Sequence, residues 1–261
     1  MAPEHDPDAP VVPVAARGRR KEKGAFFRTL ATPAAPLFDL MATIDIVDGH
    51  KLPAHGSFVV TPNHYTNIDP VVVGRVLWAL GRVPRFLAKA SLFRVPVFGR
   101  MMHAMGHIPV ERAGRTHDND PLAAGRALAA TGGGVIVYPE GTLTRDPDLW
   151  PMKGKSGAVR LALAADVPLI PMAHWGSQQL MGRYSSKLRP FPRKRITVVI
   201  GDPVDLSAYR GRALDQASIT AATALVMQSI TELVERLRGE EAPAERWNPA
   251  ANDQKETGRF E

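Results

Sequence analysis

Two residues five positions apart raise the first chemical question: His64 and Asp69, within Asn63-His64-Tyr65-Thr66-Asn67-Ile68-Asp69-Pro70. An imidazole with a carboxylate on one ring nitrogen is a general base whose tautomer and orientation are fixed. Five residues along a helix turn through about 140°, so the two side chains meet only if the intervening segment turns. Pro70 makes such a turn plausible, because proline suits the first helical position and makes Asp69 a natural N-cap. Two plainer readings stand beside the catalytic one: Asp69 as a helix cap and His64 as a structural histidine.

Further along, Gly106-His107-Ile108-Pro109-Val110-Glu111-Arg112 ends in an arginine just past a short apolar run. There Arg112 is placed to bind a phosphate bidentately, or to pair with Glu111 on the surface. His103 and His107 have the spacing of a metal pair on a helix, but Gly106 and the apolar run oppose a helix and no third ligand follows. No metal is expected. A third block, Val135-Ile-Val-Tyr-Pro-Glu-Gly-Thr-Leu-Thr-Arg145, runs from a buried strand into a turn. Gly141 lets backbone approach a ligand closely, and Glu140 is suited to hold an acceptor hydroxyl or to position Arg112. Arg145, Lys153 and Lys155 gather positive charge nearby, as an anionic head requires and as a solvated loop also allows.

These residues need a scaffold, and the pattern supplies short apolar strands alternating with helices. Strands are expected at Ser57–Thr61, Arg85–Ala88, His107–Val110, Val135–Tyr138, Pro168–Met172 and Ile196–Ile200. Helices are expected from Asp69-Pro70 to Leu80, from Asp120-Pro121 to Gly132-Gly133-Gly134, from Ser156 to Ala165 and from Leu214 to Leu237. The expectation is an α/β fold, a layered and mostly parallel sheet flanked by helices, with an N-terminal amphipathic helical segment. Residues 1–23 read as a disordered basic arm and 24–46 as amphipathic helices at a membrane interface. An α/β domain follows at 47–239, and residues 240–261 read as a polar tail.

The formal net charge is +7 and cysteine is absent. Excess positive charge favours an anionic partner, whether nucleic acid, membrane face or phosphorylated substrate. A nucleic-acid role is not expected: no aromatic platform or zinc-finger spacing is visible, and the Arg17–Lys23 cluster lies outside the domain. Met1 to Val14 is proline-rich and acidic and has no apolar core of a signal peptide. No uncharged apolar run reaches the roughly 18–20 residues that span a bilayer. The expected location is therefore peripheral, at the cytoplasmic face of the plasma membrane, through the basic cluster and the apolar residues Phe26 to Met41.

Taken in order, these blocks resemble the lysophospholipid acyltransferase family. Its His-x4-Asp motif is similar to His64–Asp69, its arginine-bearing block to Ile108–Arg112, its Phe-Pro-Glu-Gly-Thr block to Tyr138–Thr142 and its proline-rich block to Val167–Pro171. A Lys-x-Gly-Ala segment is similar to Lys155–Ala158, and the resemblance covers about residues 38 to 205. One position departs: Leu143 follows Glu-Gly-Thr where the family usually carries arginine, and Arg145 comes two residues later.

The resemblance implies transfer of a fatty acyl group from acyl-CoA or acyl carrier protein to the hydroxyl of 1-acylglycerol-3-phosphate. His64 would be the base and Asp69 its orienting carboxylate, while Arg112, Glu140, Gly141, Thr142, Arg145 and Lys155 would contact substrate. No cofactor is implied beyond the thioester co-substrate. The implied partners are that donor, lysophosphatidic acid or a related lysolipid, and an anionic membrane surface. The alternatives are another lysophospholipid or glycolipid acceptor, or a lipid-binding protein without turnover.

Overall fold

Val59 and its neighbours are apolar on both faces of their strand, and the sheet order explains why. A computed structural model describes residues 12–13, 35–110, 127–130, 132–211 and 215–255. Its strands are β1 (Val12–Pro13), β2 (Ala42–Val47), β3 (Phe58–Pro62), β4 (Arg85–Lys89), β5 (Ile108–Val110), β6 (Gly134–Ile136), β7 (Leu169–Trp175) and β8 (Lys194–Ile200). They lie in the order β1-β2-β8-β7-β3-β6-β4-β5, antiparallel only where β1 meets β2 and β7 meets β8. The helices are α1 (35–41), α2 (Asp69–Ala79), α3 (Ala90–Phe93), α4 (Phe98–Ala104), α5 (127–130), α6 (Gly157–Ala165), α7 (Ser177–Leu180) and α8 (Gln216–Arg238).

The period-2 alternation of the central strands sorts their side chains into two cores. Phe58, Val60, Ile136, Ile170, Met172, Ile196 and Val198 share one with Phe38 of α1 and Val72, Val73, Val76 and Leu77 of α2. Val59, Val135 and Leu169 face the other way, against Val159, Leu161 and Ala162 of α6 and Ile219, Ala222, Val226 and Ile230 of α8. At the tightest point Gly134 faces Phe58, where an added Cβ would stand 2.1 Å from the ring, so only glycine lets β6 enter there. The long helix α8 starts on Asp215, whose carboxylate accepts from the Ser218 amide at 2.7 Å. It stops at Gly239 in the left-handed conformation. Its 23 residues have the length and apolar content of a bilayer-crossing helix, and the apolar stripe meets the sheet and α6.

Three regions differ from the sequence expectation. Residues 42–46, read with the helical segment, form most of β2. The β-branched run Thr43-Ile44-Asp45-Ile46-Val47 prefers the extended chain, and β2 aligns in parallel with β8 from Ala42 opposite Lys194. Val12 and Pro13, within the stretch read as an unstructured arm, pair with Ile46 and Asp45. Of the stretch read as a polar tail, residues 240–255 fold back over α8. There the Trp247 carbonyl accepts from the Lys153 amide at 2.9 Å, and Arg246 bonds Gln228 at 2.5 Å.

This topology collects the functional turns. β3, β6 and β7 are parallel, so the turns that follow them leave from one sheet edge. β8 runs against β7, which brings the starts of β8 and of its parallel neighbour β2 to that same edge.

Candidate active site

The first turn at this edge follows β3. Asp69 is the first residue of α2 with Pro70 next, but its carboxylate does not cap that helix. It reaches back instead: Oδ2 accepts from the amides of Tyr65 and Thr66, each at 2.8 Å, and lies 3.1 Å from His64 Nδ1. Oδ1 accepts from the hydroxyls of Thr66 and, at 2.7 Å, Ser177. Residues 64–69 are thereby wrapped around one buried carboxylate, which is the turn that the five-residue spacing requires.

The electrostatics follow from this wrapping. Burial alone would raise the Asp69 pKa; the His174 and His64 rings and the Thr66 hydroxyl outweigh it and hold the carboxyl at about 2. A permanently ionised carboxylate at Nδ1 makes that nitrogen the donor and leaves Nε2 of His64 as the basic atom. The His64 ring stacks on Tyr138 with centroids 4.0 Å apart, and it remains partly open to solvent.

The second turn follows β6 and clamps the backbone of His64 from both sides. Glu140 Oε1 accepts from the His64 amide at 3.0 Å, its Oε2 accepts from the Met152 amide at 3.1 Å, and the Thr144 amide donates to the His64 carbonyl at 2.6 Å. Glu140 is fully buried, and that burial pushes its pKa up to about 8 against the pull of the Met152 and His64 amides. Its two oxygens serve backbone and grip the turn that carries His64. Gly141 has φ of 71°, and an added Cβ would meet the Lys155 side chain at 3.1 Å. The Lys155 chain thus lies across the turn, while the lysine itself is exposed.

A family model described as Acyltransferase matches residues 43–175, the span that contains both turns. The chain belongs to the acyltransferase family. Similar curated proteins include a chloroplastic 1-acyl-sn-glycerol-3-phosphate acyltransferase of Brassica napus, 32% identical over 157 residues, 59% of this chain and 44% of the relative. A 1-acyl-sn-glycerol-3-phosphate acyltransferase of Chlamydomonas reinhardtii is 30% identical over 196 residues, 73% of this chain and 56% of the relative. One from Salmonella typhimurium is 28% identical over 219 residues, 80% of each chain. The chain spans about half the length of the first two relatives.

Within this acyltransferase domain His64, Asp69, Glu140, Gly141 and Lys155 come together. Thr142 lies on the same turn, half-buried. Arg145, expected at the anionic head, is buried, as is Leu143 at the departing position. Arg112 lies outside the described residues. The histidine pair separates: His107 Nδ1 accepts from the Phe86 amide at 3.0 Å, and His103 meets the Phe93 ring edge-on. Burial, then Arg85, lowers the His107 pKa to about 4.

The third turn brings in residues that sequence reading missed. β7 continues three residues past Met172 and ends with His174 and Trp175, followed by Ser177 at the start of α7. The His174 amide donates to Asn63 Oδ1 at 2.9 Å, Asn63 Nδ2 donates to the His174 carbonyl at 3.2 Å, and His174 Nε2 lies 3.1 Å from the Asn63 carbonyl. This triple contact locks the end of β3 to the end of β7. His174 is fully buried, which lowers its pKa, and its Nε2 lies 3.8 Å from Asp69 Oδ2. A signal did exist: Ile170, Met172 and His174 share one face of a strand, so a histidine interrupts a buried stripe.

Proposed function

We propose that the protein transfers a fatty acyl group from acyl-CoA or acyl carrier protein to the free hydroxyl of 1-acylglycerol-3-phosphate, forming phosphatidic acid. The observation that carries this reading is the 3.1 Å contact between His64 Nδ1 and a carboxylate held ionised by its surroundings. His64 Nε2 takes the proton of the acceptor hydroxyl as that oxygen attacks the thioester carbonyl. Collapse of the adduct breaks the C–S bond, and the proton passes from His64 to the leaving thiolate. The sequence offers no cysteine for an acyl-enzyme. The Gly141 amide already donates to the Tyr138 carbonyl at 3.1 Å, so oxyanion stabilisation falls to other donors. Lys155, with Arg112, is assigned to the acceptor phosphate. The printed names of the relatives support the acceptor; Leu143 keeps another lysophospholipid as the second reading. A lipid acceptor and a positive chain support a peripheral location at the cytoplasmic face of the plasma membrane.

The test is acyl transfer in liposomes with labelled palmitoyl-CoA and with palmitoyl-acyl carrier protein, offering lysophosphatidic acid, glycerol-3-phosphate and other lysophospholipids. Product from lysophosphatidic acid is expected, and His64→Ala should lower turnover on the order of 10²–10⁴-fold with folding intact. No product from either donor with any acceptor, or a fully active His64→Ala protein, would sink the proposal.

A further inference from the structure

The segment that joins α7 to β8 and runs into the first two residues of β8 has no part in the chemistry above, and its composition is unlike the rest of the domain. Within residues 187–195 stand Lys187, Arg189, Arg193, Lys194 and Arg195, and no Asp or Glu occurs between Asp166 and Asp202. Arg195 reaches Asp45 at 2.5 Å. Lys187, Arg189 and Arg193 are in ion pairs with no carboxylate among the described residues. Among these cations two large apolar side chains point outward, Leu188 at 44% exposed and Phe191 at 70%. Exposed apolar tips among cations that mostly lack a carboxylate partner among the described residues cost free energy in water and match a surface that is anionic outside and apolar just beneath.

The segment is also built rather than loose. Leu188 bridges antiparallel to Met181, the Arg189 amide donates to the Leu180 carbonyl at 2.8 Å, and the Ser185 amide to that of Gly182 at 3.0 Å. It is tied to both catalytic turns: Asn67 Nδ2 donates to the Ser185 carbonyl at 3.3 Å, and the Arg183 guanidinium to the carbonyls of Thr144 and Asp146. The topology adds a second apolar element beside it. Ala42 is in register with Lys194, so α1 ends where this segment ends, at the sheet edge that carries the active site. On α1, Leu37 and Leu40 are 63% and 60% exposed.

We propose that residues 187–195, with Leu37 and Leu40 beside them, dock the protein on an anionic lipid bilayer, Phe191 and Leu188 entering the interface and the cations meeting phosphate head groups. The inference rests on the lipid acceptor of the proposed function and extends it: the docking face lies at the edge where His64 opens, so a lysolipid reaches the base from the bilayer. Cations alone would equally suit an acidic carrier protein; the two apolar tips favour the bilayer.

The absence of cysteine makes the experiment clean. In the full chain, Phe191→Cys and, as control, Leu225→Cys on the exposed side of α8 are each labelled with an environment-sensitive fluorophore. Each is mixed with vesicles of phosphatidylcholine plus phosphatidylglycerol, or of phosphatidylcholine alone, without acceptor. A blue shift is expected at position 191 with the anionic vesicles only, and none at 225. In sedimentation, Phe191→Ser with Leu188→Ser should weaken vesicle binding about tenfold at an unchanged melting temperature, whereas His64→Ala should bind as the wild type does. No shift at 191 together with undiminished binding of the double variant would overturn the proposal. So would variants that bind vesicles normally but lose transfer from acyl carrier protein, which would make the segment a protein-docking site. Because binding is read without turnover, failure of the acyl-transfer reading and failure of docking are separable.

Discussion

The turn that carries His64 and the side chains assigned to the acceptor are built by opposite strategies. Around His64 the polar groups that hold the turn are buried and multiply bonded: Asp69 accepts from two amides and two hydroxyls, and Glu140 and Thr144 hold the His64 backbone from either side. On the acceptor side the cations are long and differently placed, with Lys155 exposed over Gly141, Arg145 buried and Leu143 at the position where arginine is usual. A base must be held to within a fraction of an ångström, which favours over-determined geometry. A charged head group can be met by flexible cations at several positions. Under the proposed function, the chemistry is the rigid part of this site and the acceptor preference the adjustable part.

Asp69→Asn should break the rigid half most severely. Asparagine offers one acceptor oxygen where two now serve amides, hydroxyls and the His64 ring, so donors are left facing its N–H group. Each unsatisfied buried donor costs roughly 1–3 kcal/mol, and the base loses its charged partner. Turnover should fall on the order of 10²–10⁴-fold, with a lower melting temperature. A variant that melts early yet turns over within about tenfold of wild type would reduce Asp69 to a structural residue.

Glu140 tests the same half through pH. Its ordinary value is 4.5 and the folded value about 8, so between those limits the folded chain keeps a proton that the unfolded chain has released. The stability this contributes is fully present below 4.5 and is lost as pH rises toward 8. Asp69 has the opposite sign: lowered from 3.8 to about 2, it contributes above 3.8 and the contribution is lost as pH falls through 2. In Glu140→Gln the decline in melting temperature from acid to neutral pH should flatten, at an overall cost of roughly 1–3 kcal/mol for the displaced amide bond. Identical slopes in the two proteins would mean that Glu140 ionises as an ordinary carboxylate.

Legibility in the sequence followed the same division. His64 and Asp69 could be paired because proline and a five-residue spacing leave only a turn to join them. The central strands were visible as apolar runs between glycines and prolines. β2 was not, because Thr43 to Val47 follows an apolar helical stretch without a break, and no local signal separates the two periods. His174 was missed because the strand was taken to end at Met172. Contacts such as Arg82, whose guanidinium bonds the carbonyls of Pro53, Gly56 and Gly132, join loops far apart in the chain, and no residue pattern within one loop announces them. Trp247 was a usable hint that the polar tail returns to the domain, since a large indole in a charged stretch usually has something to cover.

The smallest expected effect belongs to Lys155, and it sharpens the comparison from the adjustable side. Its side chain rests against Gly141 and the residue is exposed, so removing it opens no cavity. Lys155→Ala should leave the melting temperature and kcat essentially unchanged and raise the KM for a phosphate-bearing acceptor about three- to tenfold, the loss of one partly solvated charge contact. Arg145→Ala, at a buried position only ten residues away, should do the reverse and lower the melting temperature. If Lys155→Ala instead lowers kcat with KM unchanged, the lysine acts on the transition state and belongs with the rigid half. If neither parameter moves, the phosphate is held elsewhere, and Arg112 becomes the next side chain to replace.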